Sequence, residues 1–364
     1  MNSRIFVLLA LSLLFSGCTQ ITSLPGGSDS ASPQEVSSST GTSEVNTVEE
    51  SASSDSGIEP ASPTQASSET LVSSESIVSE ATDSEDNVES AVDADSDVST
   101  AELAQTELQQ RSVIALCREI GNKLGSVSVD DCLTQPLAFA GSYTLQSRPM
   151  VVREFNTDEQ ERPRILILGG IHGDEYSSIS IMFKWMDLLE QSEKTDFHWR
   201  FAPSVNPDGL LDGQAIRQNA NGVDLNRNFP SEDWLDLAEE YWTNTTNRNP
   251  RRYPGTHPAS EPEVQWIVDQ IDTYKPDVIV SVHAPYHLLD YDGPPEPPQQ
   301  LGELHLHLLG VYPGSLGNYA GINLGIPVVT MELPSAGIMP SNEQINTMWN
   351  DLQDWLHTHH EPNS

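Results

Sequence analysis

Three short apolar runs, each stopping at a breaker or a titratable group, set the pattern of this chain. Ile165–Leu168 ends at Gly169-Gly170, Val278–Val282 ends at His283, and Val328–Met331 ends at Glu332. Runs of four or five apolar residues, nearly continuous rather than alternating, predict strands covered on both faces, as in a parallel sheet. Between the first two, Ile179, Met182, Phe183, Met186 and Leu189 recur at helical spacing, which predicts an amphipathic helix over 176–189. A further strand is expected over Trp199–Val205, stopped by Asn206-Pro207-Asp208-Gly209. The stretch GSYTLQSRPMVVREF, with Tyr143, Leu145, Val151, Val152 and Phe155, reads as a strand or hairpin. Strands alternating with helices predict an α/β domain with a mixed, largely parallel sheet flanked by helices.

The N-terminal part follows another pattern. Arg4 precedes an apolar run from Ile5 to Phe15, then Ser16, Gly17 and Cys18. Such a run is a signal peptide and is too short for a membrane span, which needs about 20 residues. FSGC resembles a bacterial lipobox, so residues 1–17 are expected to be removed and Cys18 to carry lipid, anchoring the chain to a membrane without spanning it. Thr19 after the cysteine, by resemblance to bacterial lipoproteins, points to the outer membrane, facing the periplasm. Residues 18–100 are dominated by Ser, Thr, Ala, Glu and Asp, with 17 carboxylates and no Lys or Arg. With so little apolar surface and so much like charge, this segment reads as an extended, disordered acidic tether.

The rest divides into a small segment, 101–145, and a body, 146–364, long enough for one catalytic domain with a sizeable core. Cys117 and Cys132 are expected to form a disulfide in an exported protein. From residue 101 onward there are 37 acidic groups against 16 basic ones. That balance argues against nucleic acid, whose binding rests on neutralising phosphates with Lys and Arg, and suits a substrate with amino groups.

The candidate chemistry lies at the strand ends. A parallel sheet gathers the carboxyl ends of its strands on one edge, where ligands bind in open α/β folds. His172 and Glu175 in the IHGDEY turn, His283 and Glu332 therefore converge. Two imidazoles and a carboxylate are the ligand set of a catalytic zinc with an open position for water. Glu332 is then the candidate to take the water's proton and pass it to the leaving amine. Arg217, in the Asn-rich segment AIRQNANGVDLNRNFP with Arg227, is the candidate to stabilise the oxyanion. A surface turn stiffened by Asn side chains is the other reading of that segment.

HGDE, NPDG, RxNxNGVDLNRNFP, the SxH at 281–283 and TMELP stand in the order and spacing of the zinc carboxypeptidases, and their wording resembles the bacterial murein tripeptide amidases. SEPE at 260–263 and PGSLGNYAG at 313–321 add to the likeness, which runs from Pro163 to Pro334. The resemblance implies that His172, Glu175 and His283 bind one zinc per chain, that Glu332 is general base and acid, and that Arg217 faces the scissile carbonyl. It implies that Asn226 and Arg227 hold a substrate carboxylate and that Asp224 orients a zinc histidine. The implied reaction is hydrolysis of the γ-D-glutamyl–meso-diaminopimelate bond of peptidoglycan-derived peptides.

Several features depart from that pattern. The family closes a tyrosine over substrate, and both Tyr312 and Tyr319 stand in the relevant region. The Pro-rich acidic segment 284–310 is a candidate wall of the specificity pocket, with Asp290 and Asp292 either meeting an ammonium group or sitting in an exposed acidic loop. His305 and His307 read as non-catalytic, and His357, His359 and His360 as solvated tail residues. The family resembled is otherwise associated with the cytoplasm, whereas this chain has an export signal. A general metallocarboxypeptidase, an amino-acid deacylase and an inactive peptidoglycan-binding lipoprotein are the alternatives on the same scaffold.

Overall fold

The computed structural model describes residues 94–156, 161–192 and 196–360. The expected signal peptide, Cys18 and the expected tether up to residue 93 lie outside the described residues. Among the described residues no helix is long and apolar enough to cross a membrane. In chain order the elements are α1 (Ala94–Lys123), α2 (Val129–Thr134), β1 (Ala138–Tyr143), β2 (Pro149–Phe155), β3 (Arg164–Gly169), α3 (Tyr176–Glu190), β4 (His198–Ala202), α4 (Pro207–Leu211), α5 (Trp234–Glu240) and α6 (Pro262–Tyr274). There follow β5 (Val278–His283), β6 (Leu288–Asp292), the two-residue β7 (Gln300–Leu301) and β8 (Leu304–His305), β9 (Val328–Glu332) and α7 (Asn342–His359).

Seven strands form one sheet in the order β1-β2-β4-β3-β5-β9-β6. The centre, β4-β3-β5-β9, is parallel, and the flanking strands β1, β2 and β6 join antiparallel, which makes the sheet mixed with a parallel centre. The apolar runs are continuous because both faces are covered. Ile165 and Ile167 of β3 pack into one core cluster with residues of α1, α3 and α7, while Leu166 and Leu168 pack into the other with Val264, Trp266, Ile267 and Ile271 of α6. The expected face of α3 is buried at Ile179, Met182, Phe183, Met186 and Leu189, with Trp185 added to it.

Three expectations are corrected here. Helix α1 starts at Ala94, so the last residues assigned to the tether are helical. The division at 145/146 falls in the turn joining β1 to β2, two antiparallel strands of one sheet, and Val113, Leu116, Cys117, Ile120 and Cys132 belong to the same core cluster as α3. The Cys117–Cys132 disulfide, across 15 residues of sequence, ties α1 to α2 within that body. His357 and His359 are in α7 rather than in a solvated tail. His357 pairs with Asp196 at 3.0 Å and packs its ring on Phe197, and His359 packs on Trp355.

Candidate active site

The site grows from the end of β3. Gly170 adopts φ +63°, a conformation in which a side chain is strained, and the chain turns sharply into 171–175. Gly173 then lies directly on the next turn: a Cβ there would stand 2.2 Å from the carbonyl carbon of Gly209 and 2.3 Å from the amide nitrogen of Leu210. The HGDE and NPDG turns are therefore locked backbone to backbone. Glu175 occupies the N-cap of α3 without capping it, so its carboxylate is free to face inward. Asp208, 1% exposed, accepts hydrogen bonds from Thr144, the Gln146 amide and Arg148, which ties the NPDG turn to the β1–β2 hairpin.

The four strand-end groups meet as the parallel sheet requires. His172, Glu175 and His283 are 2%, 5% and 2% exposed. His172 Nδ1 lies 2.8 Å from Glu175 Oε1, His283 Nδ1 lies 3.0 Å from Glu175 Oε2, and the two Nδ1 atoms are 3.1 Å apart. A tetrahedral zinc with bonds of about 2.0–2.1 Å to nitrogen sets its ligand atoms about 3.3 Å apart. All three donors lie within 4.8 Å of one another, so the donor set fits that ion in kind and in spacing. The outward nitrogens agree with this reading. His172 Nε2 is 3.1 Å from Asp224 Oδ1 and His283 Nε2 is 3.1 Å from Ser281 Oγ. Burial opposes ionisation of Asp224, but Arg217 and His172 outweigh it and hold the carboxyl well below its ordinary value. An ionised carboxylate only accepts, so Nε2–H of His172 donates to it and the Nδ1 lone pair is left for a metal. Burial likewise opposes ionisation of Glu175, and the facing His172 and His283 rings keep it charged.

Glu332 ends β9 as the Cα partner of His283. It is 7% exposed, its Oε2 accepts from the Tyr286 amide at 3.4 Å, and burial raises its pKa above the ordinary carboxylate value. A carboxyl made more basic beside a cluster of ligands is suited to proton transfer.

The segment 215–230 is buried at its chemically important side chains and exposed only at 220–222, so the reading of it as a surface turn is corrected. Asn219, Asp224 and Asn228 are fully enclosed, and Arg217 and Arg227 are 6% and 7% exposed. Its side-chain amides take over the backbone pairing that an irregular buried segment lacks: Asn219 Oδ1 accepts from the amides of Asn221 and Val223, and Asn228 Nδ2 donates to Pro254 O and His257 O. Arg217 donates from Nε to Asp224 Oδ2 at 2.9 Å and directs Nη1 at the cluster, 3.1 Å from His172 Nδ1. Asn226 Oδ1 accepts from the Leu316 amide. Arg227 stacks over the Tyr312 ring at 4.4 Å, its Nε has no hydrogen-bond partner among the described residues, and burial lowers its pKa.

A cavity of about 330 Å³ joins these groups, lined among others by His172, Arg217, Asn226, Arg227, His283 and Glu332. Asp290 and Asp292 also line it. They stand on β6, Asp290 at 5% exposure, and not in an exposed loop. Burial raises both pKa values, that of Asp292 to about 7 with Asp290 adding to the effect. The tyrosines separate as well: Tyr312 lines the cavity, whereas Tyr319 is buried with its ring stacked on Phe229. Sequence reasoning overlooked Arg252, which lines the cavity 3.7 Å from Asp224, and Tyr286. No periodic or motif signal marked either.

Comparison with known proteins agrees with the residue pattern. A family model described as zinc carboxypeptidase matches residues 139–305. Murein peptide amidase A of Escherichia coli (strain K12) is 33% identical over 197 residues, covering 52% of this chain and 79% of the relative. The Vibrio campbellii protein of the same name is 32% identical over 188 residues, covering 50% and 73%. Among solved structures, a murein-tripeptide amidase from Escherichia coli O157 is 27% identical with a TM-score of 0.42 over 62% of this chain and 97% of that one.

Proposed function

This chain belongs to the zinc carboxypeptidase family, and on that premise we propose that it is a lipid-anchored zinc amidase cleaving the γ-D-glutamyl–meso-diaminopimelate bond of peptidoglycan-derived peptides. His172, Glu175 and His283 would hold the metal, each offering one donor atom to the cluster. When bound, zinc supplies a Lewis acid for the scissile carbonyl and lowers the pKa of water to about 7. Glu332, ionised, takes the proton of the attacking water and returns it to the amine as the C–N bond breaks. Arg217 stabilises the oxyanion, and Asp224 keeps both Arg217 and His172 oriented. Arg227 and Asn226 receive a carboxylate of the released amino component.

The observation that carries the substrate reading is the cavity's double charge. Arg217 and Arg227 stand on the same wall system as Asp290 and Asp292. A ligand with both carboxylate and ammonium groups satisfies both sets, and diaminopimelate has two of each. The murein peptide amidases resembled by this chain supply the reaction class. The acidic balance of the whole chain suits the same ligand. Cys18 lipidation, retention at the outer membrane facing the periplasm, and a tether giving reach toward peptidoglycan complete the proposal. Radiolabelled lipid incorporated by the full chain and lost on Cys18→Ser tests the anchor. Mass spectrometry of peptidoglycan tripeptides incubated with the zinc-loaded protein tests the substrate: release of diaminopimelate is expected, and cleavage of plain peptides or N-acyl amino acids instead overturns it.

A further inference from the structure

Beneath the arginine-bearing loop lies a pair of carboxyl groups that the reaction does not use. Glu263, the second residue of α6, is fully buried; its Oε2 accepts from Asn219 Nδ2 at 3.0 Å, and its Oε1 has no partner among the described residues. Glu261, the N-cap of the same helix, accepts from Asn219 Nδ2 at 2.7 Å and from Asn221 Nδ2 at 2.9 Å. Asn219 is thus gripped through its amide nitrogen. Its amide oxygen and backbone then close the turn 219–223, accepting from the amides of Asn221, Gly222 and Val223 and donating to Val223 O. Arg217 enters this turn two residues before Asn219, and Asp224 leaves it directly after Val223. The 2.9 Å Arg217–Asp224 pair therefore spans a turn whose shape is set from below. Neither glutamate lines the cavity. Burial raises the pKa of Glu263 to about 7, with Asp208 and Glu261 adding to the effect and the hydrogen bond from Asn219 opposing it.

We propose that Glu263 is a positioning residue for the reaction: by holding Asn219 it fixes the turn that presents Arg217 to the carbonyl and Asp224 to His172. The proposal rests on the zinc-hydrolase reading of the site. Partners that orient reacting groups from behind typically cost about 10–100-fold when removed. A side chain that acts only in packing instead costs stability, so the two roles separate experimentally.

The test uses Glu263→Gln, which keeps an acceptor for Asn219, and Glu263→Leu, which fills the same buried volume without one. Glu263→Leu guards against a variant that fails to fold, because it removes a buried ionisable group and leaves no void. The expected result is kcat lower by about 10–100-fold in Glu263→Leu with KM within about twofold, a melting temperature near that of the parent, and recovery in Glu263→Gln. In an Arg217→Ala background, Glu263→Leu is expected to add much less than it costs alone, since it acts through Arg217. Hydrogen exchange in zinc-free protein supplies a readout independent of turnover: the amides of Gly222 and Val223 exchange faster in Glu263→Leu. Unchanged exchange, or a loss of kcat that is equal in both backgrounds, overturns the positioning role. A wild-type protein without zinc or turnover refutes the zinc reading while the exchange result still decides the role of Glu263 in shaping the turn.

Discussion

His283 and Glu332 face each other as Cα partners across the parallel pair β5–β9, each the last residue of its strand. Strands in a sheet lie about 4.8 Å apart, so this register delivers an imidazole and a carboxyl to one edge without any loop having to find its place. His172 arrives at the same edge from β3, the other neighbour of β5. The ladder places His283 and Glu332, the turn that follows β3 brings His172 and Glu175 to them, and the segment 215–230 adds the arginines and Asp224.

Arg217 has no role in packing a sheet face, and its guanidinium points at the ligand cluster. Arg217→Ala is expected to lower kcat by about 10²–10³-fold, the usual cost of one oxyanion donor. Arg217→Lys recovers little, because one ammonium cannot hold Asp224 and face the carbonyl together. Steady-state kinetics with zinc content measured alongside checks this, since metal binding should persist.

Asp292 is proposed to meet an ammonium group of the substrate. Asp292→Asn should reduce kcat/KM for a diaminopimelate peptide by about 10–100-fold, the cost of a lost charged hydrogen bond, and leave a substrate with a neutral side chain unaffected. With the Asp292 pKa pushed up to about 7, the carboxyl gains charge as pH rises, so KM for the diaminopimelate peptide should fall through that range. A pH series of KM in wild type and variant measures both.

Gly173 admits no side chain, since the backbone of Gly209 and Leu210 occupies the space a Cβ would take. Gly173→Ala must push the HGDE turn off the NPDG turn, at an expected cost of about 1–3 kcal/mol. His172 and Glu175 move with that turn, so zinc affinity should weaken as well. Thermal unfolding and a competitive zinc titration report the two effects separately.

Glu263 also predicts a pH dependence of stability. Its folded pKa, about 7, exceeds the ordinary carboxylate value near 4.5, so between those values the folded state holds a proton that the unfolded chain has released. Stability from this group is therefore present at low pH and declines as pH rises from about 4.5 to 7, by roughly 3–4 kcal/mol in all. Glu263→Gln removes the decline. Chemical denaturation at several pH values, compared between wild type and variant, measures the difference.

Much of this site was legible because its chemistry sits at the ends of short apolar strands. The runs before Gly169, His283 and Glu332 name the parallel strands, and the parallel sheet then dictates convergence. What stayed open between two readings, or was missed, lacked such a pattern. Asp290 and Asp292 stand in a Pro-rich acidic stretch whose composition suggests a solvated loop, although β6 pairs with β9 and turns both into the cavity. Glu263 is one acid among several at a helix start, and only its burial beneath Asn219 separates it from a solvated one. The side-chain amides of 215–230 resemble a surface turn until their partners, which lie as far away as Glu261 and Leu316, are in place. Tyr312 and Tyr319 are seven residues apart, and packing on Phe229 rather than any sequence feature assigns Tyr319 to the core.

The central claim is that His172, Glu175 and His283 hold a catalytic zinc and that Glu332 moves the proton. Glu332→Gln changes one atom of the proposed base and none of the ligands. Elemental analysis should find one zinc per chain in this variant, as in the wild type, while release of diaminopimelate from the tripeptide falls to background. Full turnover in Glu332→Gln, with zinc bound, would contradict the account.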